Sequence, residues 1–323
     1  MPADGGEPRR LSDPKAPAYD ISPAFSPDGR LLAYASCGTY WSCDVFVQQL
    51  DTGYARLGEP RRITREGRHI GGLAWSRDAA SVVYSASASW GMNPRLRRVG
   101  VSGTQPPELL ELAGLRVTSP SIARTGHRLA FSKSMQDRDI WRCQTDGVLK
   151  PVLTSSLDDY NPQFSPDGSR IAFQSDRSGE VVEIWTADAD GSRLTQVTKG
   201  PGRGQGTPRW SPDGRLIAFD SLGEDGKPQI YVVDATGGRP RRVSSGTSND
   251  AVPSFSRDGR WINFYSSQTG RNEVWRVPFH GGPAQRMTEN GGETAFESTD
   301  GKTLFYTKLY SGPLFARSLV LLR

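Results

Sequence analysis

Short runs of alternating apolar and polar residues, each closed by a polar turn, recur along the whole chain. Residues 161–198 show the unit. Asn161 to Phe164 reads as a short inner strand and Arg170 to Ser175 as a second, with Ile171 and Phe173 on one face. Glu183 to Ala187, carrying Ile184 and Trp185, reads as a third strand, and Arg193 to Thr198 as the outermost. The connection Ser165 to Gly168 has the chemistry of a tight turn: Pro166 presets φ, Asp167 bonds its own backbone and Gly168 accepts a positive φ. A second turn, Asp188 to Gly191, joins strands three and four and recurs at Asp234 to Gly238 and Thr145 to Gly147. Helical periodicity is nowhere sustained, so the elements predicted are strands.

The unit is repeated. Aromatic-Ser-Pro-Asp-Gly followed by basic-x-apolar-Ala-aromatic stands at Phe25 to Tyr34, Phe164 to Phe173 and Trp210 to Phe219. Weaker copies stand at Trp75 to Tyr84, Ile122 to Phe131, Phe255 to Phe264 and Glu297 to Tyr306. Their turn residues, Gly29, Ala79, Gly126, Gly168, Gly214, Gly259 and Gly301, follow one another at intervals of 42 to 50 residues, the period of propeller blades. The predicted fold is all-β: a seven-bladed β-propeller of four-stranded antiparallel blades forming one domain over 1–323. The blades fall at about 20–65, 70–113, 117–155, 159–199, 206–245, 250–289 and 294–323. The last copy runs through Leu304 to Thr307 and Leu314 to Leu322 and lacks a fourth strand. Gly5 to Ser12 matches the outermost strands at Gly237 to Ser244 and Gly281 to Thr288, so the N-terminal segment, 5–12, is expected to complete that blade, hide its edge and close the ring.

Composition agrees with many short strands: the 323 residues include 36 Gly and 23 Pro. No apolar run is long enough to span a membrane, and Met1 to Arg10 is polar, without a signal-peptide core. The formal net charge of +5 raises a nucleic-acid reading. However, Arg9-Arg10, Arg61-Arg62 and Arg241-Arg242 occupy one place in three outermost strands, where cations deter edge pairing, so no nucleic acid is expected to bind.

The SPDG turns, the stretch Ser175 to Gly179 within FQSDRSGEVVEIW and the DADG turn resemble the TolB-like, WD-repeat-like propeller family, over nearly the whole chain. Members of that class occur as periplasmic TolB, as sensor parts of CadC-like regulators or kinases, and as the propeller of prolyl oligopeptidase-type enzymes. The order of the variant copies looks most like the propeller of a winged-helix regulator. The resemblance implies a module that binds a partner or senses a ligand, and it carries over no catalytic residue.

Enzyme signatures are not found. Gly246 to Asp250 lacks the final Gly and the setting of a nucleophile elbow. Of the three histidines, His69 precedes an inner strand, His127 lies in an inner turn and His280 in a strand-three-to-four turn, positions that scatter them over both faces. The reading is therefore non-enzymatic, with no metal or cofactor and a monomeric propeller that binds a protein or peptide.

Loops before strand one and after strand two emerge on the face opposite the SPDG turns, and they are the irregular ones. They bring together Tyr19, Tyr40, Trp41, Trp90, Met92, Tyr160 and Tyr310 beside Arg177 and Arg271, a composition that protein interfaces favour. Asp20, Asp159 and Asp250 hold one position in three copies; they either face the channel mouth and attract a cation or basic group, or bond their own loops. Cys37 and Cys43 flank a hairpin loop and are either bonded, which implies an oxidising compartment such as a periplasm, or reduced and buried. A free-standing periplasmic adaptor is the alternative function and a propeller hydrolase or lyase the weaker one; the compartment is left open between periplasm and cytoplasm.

Overall fold

Each copy is organised by the turn that ends its inner strand. In six of them the serine hydroxyl donates to the aspartate two residues on, at 2.6–2.7 Å: Ser26–Asp28, Ser76–Asp78, Ser165–Asp167, Ser211–Asp213, Ser256–Asp258 and Ser298–Asp300. The same hydroxyl accepts the N–H that opens the next strand, at 2.9 Å. Hydrogen bonding to the charged form lowers a carboxyl pKa. The Ser165 hydroxyl, followed by the Ser169 amide, draws Asp167 down to about 2. These turns therefore set strand direction locally, before any packing.

The computed structural model describes residues 10–14, 18–39, 42–88, 92–125, 128–135, 137–143, 147–308 and 314–319. Packing divides the chain into two compact units, residues 1–135 and 136–323. The first unit holds two four-stranded antiparallel sheets. One is β1 (Tyr19–Phe25), β2 (Leu31–Thr39), β3 (Ser42–Leu50) and β4 (Arg56–Arg62); the other is β5 (His69–Trp75), β6 (Ser81–Ser87), β7 (Arg95–Gly100) and β8 (Glu108–Leu109). A two-stranded sheet follows, β9 (Val117–Ile122) with β10 (Leu129–Lys133). The second unit opens with the pair β11 (Ile140–Cys143) and β12 (Leu149–Leu153). It continues with three four-stranded sheets. These are β13 (Asp159–Phe164) to β16 (Thr195–Gln196) through β14 (Arg170–Ser175) and β15 (Glu183–Asp188), then β17 (Gln205–Trp210), β18 (Leu216–Leu222), β19 (Pro228–Asp234) and β20 (Arg241–Arg242), then β21 (Asp250–Phe255), β22 (Trp261–Ser266), β23 (Glu273–Pro278) and β24 (Gln285–Arg286). A three-stranded sheet ends it: β25 (Ala295–Glu297), β26 (Thr303–Thr307) and β27 (Leu314–Ser318).

Strand order, antiparallel pairing and the three-stranded final sheet agree with the repeat read from the sequence. The third copy differs, its strands forming two separate pairs, one in each unit. Its turn has Ala123 and Thr125 where the other copies have Ser and Asp, and every residue of β10 is exposed, so both the local lock and the apolar face are weak. Residues 5–9 of the expected closing strand lie outside the described residues.

Sheets pack through a recurring contact. The apolar residue that follows the outermost strand inserts against the second strand of the next copy: Ile63 with Val82 and Tyr84, Val197 with Ile217 and Phe219, Val243 with Ile262 and Phe264. Each such fully buried side chain contributes roughly 1.5–3 kcal/mol. A hydrogen-bonded lock repeats beneath it. Thr64, Thr198, Ser244 and Thr288 donate to Asp44, Glu183, Gln229 and Glu273 at the start of the third strand, and accept the N–H of the residue after it. This explains why polar residues are tolerated at buried positions there.

Candidate functional site

The inner strands share one irregularity that shapes the site. Three residues before the last residue of the strand, the backbone takes a positive φ immediately before a proline: Ser22, Ser119, Asn161, Thr207 and Val252, at 40–54° for the first four and 55° for the last. The pairing register breaks there, giving a bulge. Proline has no N–H to lose at such a break, but β-branched Thr207 and Val252 are strained in this region. A bulge bends its strand and re-aims the side chains that follow.

In the second unit those side chains line a cleft of about 380 Å³ at the turn end of β13, β17, β21 and β25. The residue just before the strand's last position supplies Gln163, Arg209, Ser254 and Phe296, and the last position itself supplies Phe164, Trp210, Phe255 and Glu297. The walls are fixed. Trp210 donates its indole N–H to the Gln163 carbonyl at 3.0 Å and its backbone N–H to the Gln163 side-chain oxygen at 2.8 Å. The Ser254 hydroxyl donates to the Ala295 carbonyl at 2.6 Å. Phe164 and Phe296 are nevertheless 49% and 41% exposed, large for aromatic side chains. The Arg209 guanidinium lies over the Phe296 ring, 5.5 Å from its centroid, and burial holds its pKa below the usual value against the attraction of Asp220. Glu297 accepts the Arg257 backbone N–H at 2.9 Å. The arrangement can hold an apolar group against aromatic rings and an anionic group against Arg209.

This cleft sits at the other end of the inner strands from the loops that the sequence singled out. Of the residues expected there, Tyr40, Trp41, Trp90 and Tyr310 lie outside the described residues. Tyr19 and Met92, in the first unit, are half-buried, Tyr19 against the core beside the Cys37–Cys43 disulfide. Tyr160, in the second, is half-buried under Arg138 at 6.0 Å, and burial pushes its hydroxyl pKa up. The two arginines are engaged by the fold. Arg177 pairs with the buried Asp159, donates to Ser175 at 3.0 Å and lies over Phe173 and Trp185. Arg271 donates to Glu273 at 2.8 Å. Glu273 and Glu183 occupy matching positions and shift oppositely: burial dominates and raises Glu183, whereas at Glu273 the burial effect is outweighed by Thr288, Gly291, Arg286 and Arg271.

The three aspartates do share a position, each opposite a serine: Asp20 with Ser36, Asp159 with Ser175, Asp250 with Ser266. Asp159 is taken by Arg177, and Asp250 accepts from Ser248 at 2.9 Å with its pKa raised chiefly by burial. One Asp20 oxygen, Oδ1, has no hydrogen-bond partner among the described residues. His69 is the first residue of β5, half-buried, with its pKa lowered by burial; His280 packs on Phe279, and His127 lies outside the described residues. Among the described residues no group of three or more His, Cys, Asp or Glu could hold a metal ion, and no helix is long and apolar enough to cross a membrane. Cys37 and Cys43 face each other across β2 and β3 and form a disulfide; Cys143 is exposed and takes no part in it. The signal for the cleft was present in the sequence as the residue preceding each turn aromatic, but its meaning depends on which copies come together.

The chain matches the PD40 family, described as the TolB beta propeller domain, over residues 14–205 and again over 193–317. An uncharacterized protein of Agrobacterium fabrum, Atu1656, is 32% identical over 67% of this chain, which spans 57% of that protein's length. The uncharacterized peptidase YuxL of Bacillus subtilis is 32% identical over 26% of this chain and 14% of its own length. Among solved structures, TolB from Acinetobacter baumannii is 20% identical, covering 90% of this chain and 61% of that one, with a TM-score of 0.47. A putative TolB from Agrobacterium tumefaciens is 19% identical over 81% of both chains, with a TM-score of 0.44. An oligogalacturonate lyase in complex with manganese is 13% identical over 88% and 69%, with a TM-score of 0.42. The family match supports the TolB-type repeat and not the expected likeness to winged-helix regulators. The repeats, the all-β sheets and the family match over most of the chain agree: it belongs to the PD40 family of TolB β-propellers.

Proposed function

We propose that this propeller is a non-enzymatic scaffold that binds a protein or peptide partner at the cleft of the second unit. The observation that carries the reading is the pairing of two exposed phenylalanines, Phe164 and Phe296, with an arginine in a preformed concave site. Aromatic and arginine anchors surrounded by fixed walls are the usual make-up of interface hot spots. Asp159 and Glu273, the carboxylates beside Arg177 and Arg271, are engaged by those arginines, which favours binding over acid–base chemistry. The names of a peptidase and a lyase among the similar proteins keep a propeller hydrolase or lyase as the weaker reading.

A placement in an oxidising compartment such as a periplasm, in the manner of an envelope adaptor, is favoured by the Cys37–Cys43 disulfide. Ring closure by the N-terminal segment, with seven blades, is favoured by Leu11. It packs on Leu32 and Tyr34, the contact that Val243 makes with Ile262 and Phe264 one copy later in the repeat.

The test is capture of partners from source-organism lysate by the intact chain. Two variants accompany it: Phe164→Ala with Phe296→Ala, and Trp41→Ala with Trp90→Ala and Tyr160→Ala. Loss of one partner in the first variant, with unchanged circular dichroism, supports the cleft. Loss only in the second moves the binding surface to the loop face, and identical capture by all three sinks the partner-binding reading at both surfaces.

A further inference from the structure

Arg209 stands in β17 where the corresponding residues of the other copies are Ala24, Ala74, Ser121, Gln163, Ser254 and Phe296. The fold does not require a cation at this position. Placing one there is costly, because a guanidinium half-removed from water loses hydration that must be replaced by partners. Arg209 shows one such partner, the Pro208 carbonyl at 2.9 Å, and the face of Phe296. Among the described residues no carboxylate forms an ion pair with it. Asp220, whose field favours the cation, is itself held by the Thr207 hydroxyl and the Val252 N–H. The acid that shares the cleft, Glu297, is turned to the Arg257 backbone. A guanidinium carries several donors in a planar fork suited to a carboxylate.

We infer that Arg209 anchors a carboxylate of the occupant, an acidic residue flanked by apolar side chains in a peptide segment of the partner. The inference rests on the cleft being the binding site. Charge complementarity selects the occupant: the rings of Phe164, Phe255 and Phe296 take the apolar neighbours, and one half-buried guanidinium balances one negative charge. A phosphate, carrying nearly two charges, would call for a second cation of the same kind. Arg257, also at the cleft, has its Nε directed to the Ser298 carbonyl at 3.3 Å.

The probes are acetyl-Phe-Glu-Phe-amide and acetyl-Phe-Gln-Phe-amide, titrated against the full chain while following the Trp210 indole N–H resonance. The acidic peptide should bind about tenfold more tightly than its amide counterpart, the worth of a charge-assisted hydrogen-bond pair. Arg209→Gln should level the two, and Arg209→Lys, which keeps the charge, should retain part of the preference. Equal affinity of the wild-type chain for both peptides, a preference that survives Arg209→Gln, or no saturable shift with either peptide overturns the inference. The comparison within the wild type stands even if a variant fails to fold. Equal binding of both peptides that is weakened by Phe164→Ala with Phe296→Ala would remove the role of Arg209 while leaving the cleft as the binding site.

Discussion

Asp220 on β18 is a buried carboxylate that accepts a hydrogen bond from the Thr207 hydroxyl and one from the Val252 N–H at 3.4 Å. Burial disfavours its charged form and outweighs these bonds and the more distant Arg209, so its pKa is raised. A carboxyl group with a raised folded-state pKa favours the folded state while it is protonated in both states. That contribution fades as pH climbs from the ordinary aspartate value toward the folded one. Asp220→Asn keeps an acceptor for Thr207 and removes the charge. Urea midpoints measured between pH 4 and pH 8 should therefore fall less steeply with pH in Asp220→Asn than in the wild type, with the variant the more stable near neutrality. A variant less stable than the wild type at pH 7 would mean that the charge itself is needed there. The turn aspartates behave oppositely: the Ser165 hydroxyl, with the Ser169 amide and hydroxyl, lowers Asp167 to about 2, and that favourable contribution fades as pH drops from the ordinary aspartate value to the folded one.

Among the strands, β22 carries an anomaly that bears on how the last sheets adhere. Asn263 is buried, and neither of its side-chain polar atoms finds a hydrogen-bond partner among the described residues. The matching positions on β2, β14 and β18 are Ala33, Ala172 and Ala218, opposite Ala24, Gln163 and Arg209 as Asn263 is opposite Ser254. An unpaired buried amide costs about 1–3 kcal/mol. Asn263→Ala should thus raise stability by about 1 kcal/mol after allowance for the smaller side chain, read from denaturant midpoints at constant m-value. A loss of stability would show that the amide is satisfied in solution. The order and pairing of these elements were legible beforehand because they follow from local chemistry: a Ser-Pro-Asp-Gly turn can be recognised from four residues. An asparagine inside a strand gave no warning, since its cost arises from what surrounds it.

For the molecule as a whole, the disulfide and the cleft lie in different units, and this makes their contributions separable. Cys37 and Cys43 are six residues apart and close a small loop at the β2–β3 hairpin. Loop-closure entropy for so short a loop gives about 2 kcal/mol. Replacing both by serine should lower the stability of residues 1–135 by about that amount in urea titrations, and reduction of the wild type should reproduce the loss. Peptide affinity at the cleft, formed within residues 136–323, should not change. Affinity that falls together with the disulfide would show coupling between the units.

The sequence by itself determined the strand order, the turns and the family, because each repeats and each is encoded within a few neighbouring residues. It also marked the shared position of Asp20, Asp159 and Asp250 and the opposition of Cys37 to Cys43. Tertiary structure alone decided that Arg177 neutralises Asp159, that the third copy divides into two pairs, and that Gln163, Arg209, Ser254 and Phe296 line one cleft. Those outcomes depend on side chains as distant along the chain as Gln163 and Glu297 lining one cleft. No period or spacing along the chain records which side chains of different copies will share a wall.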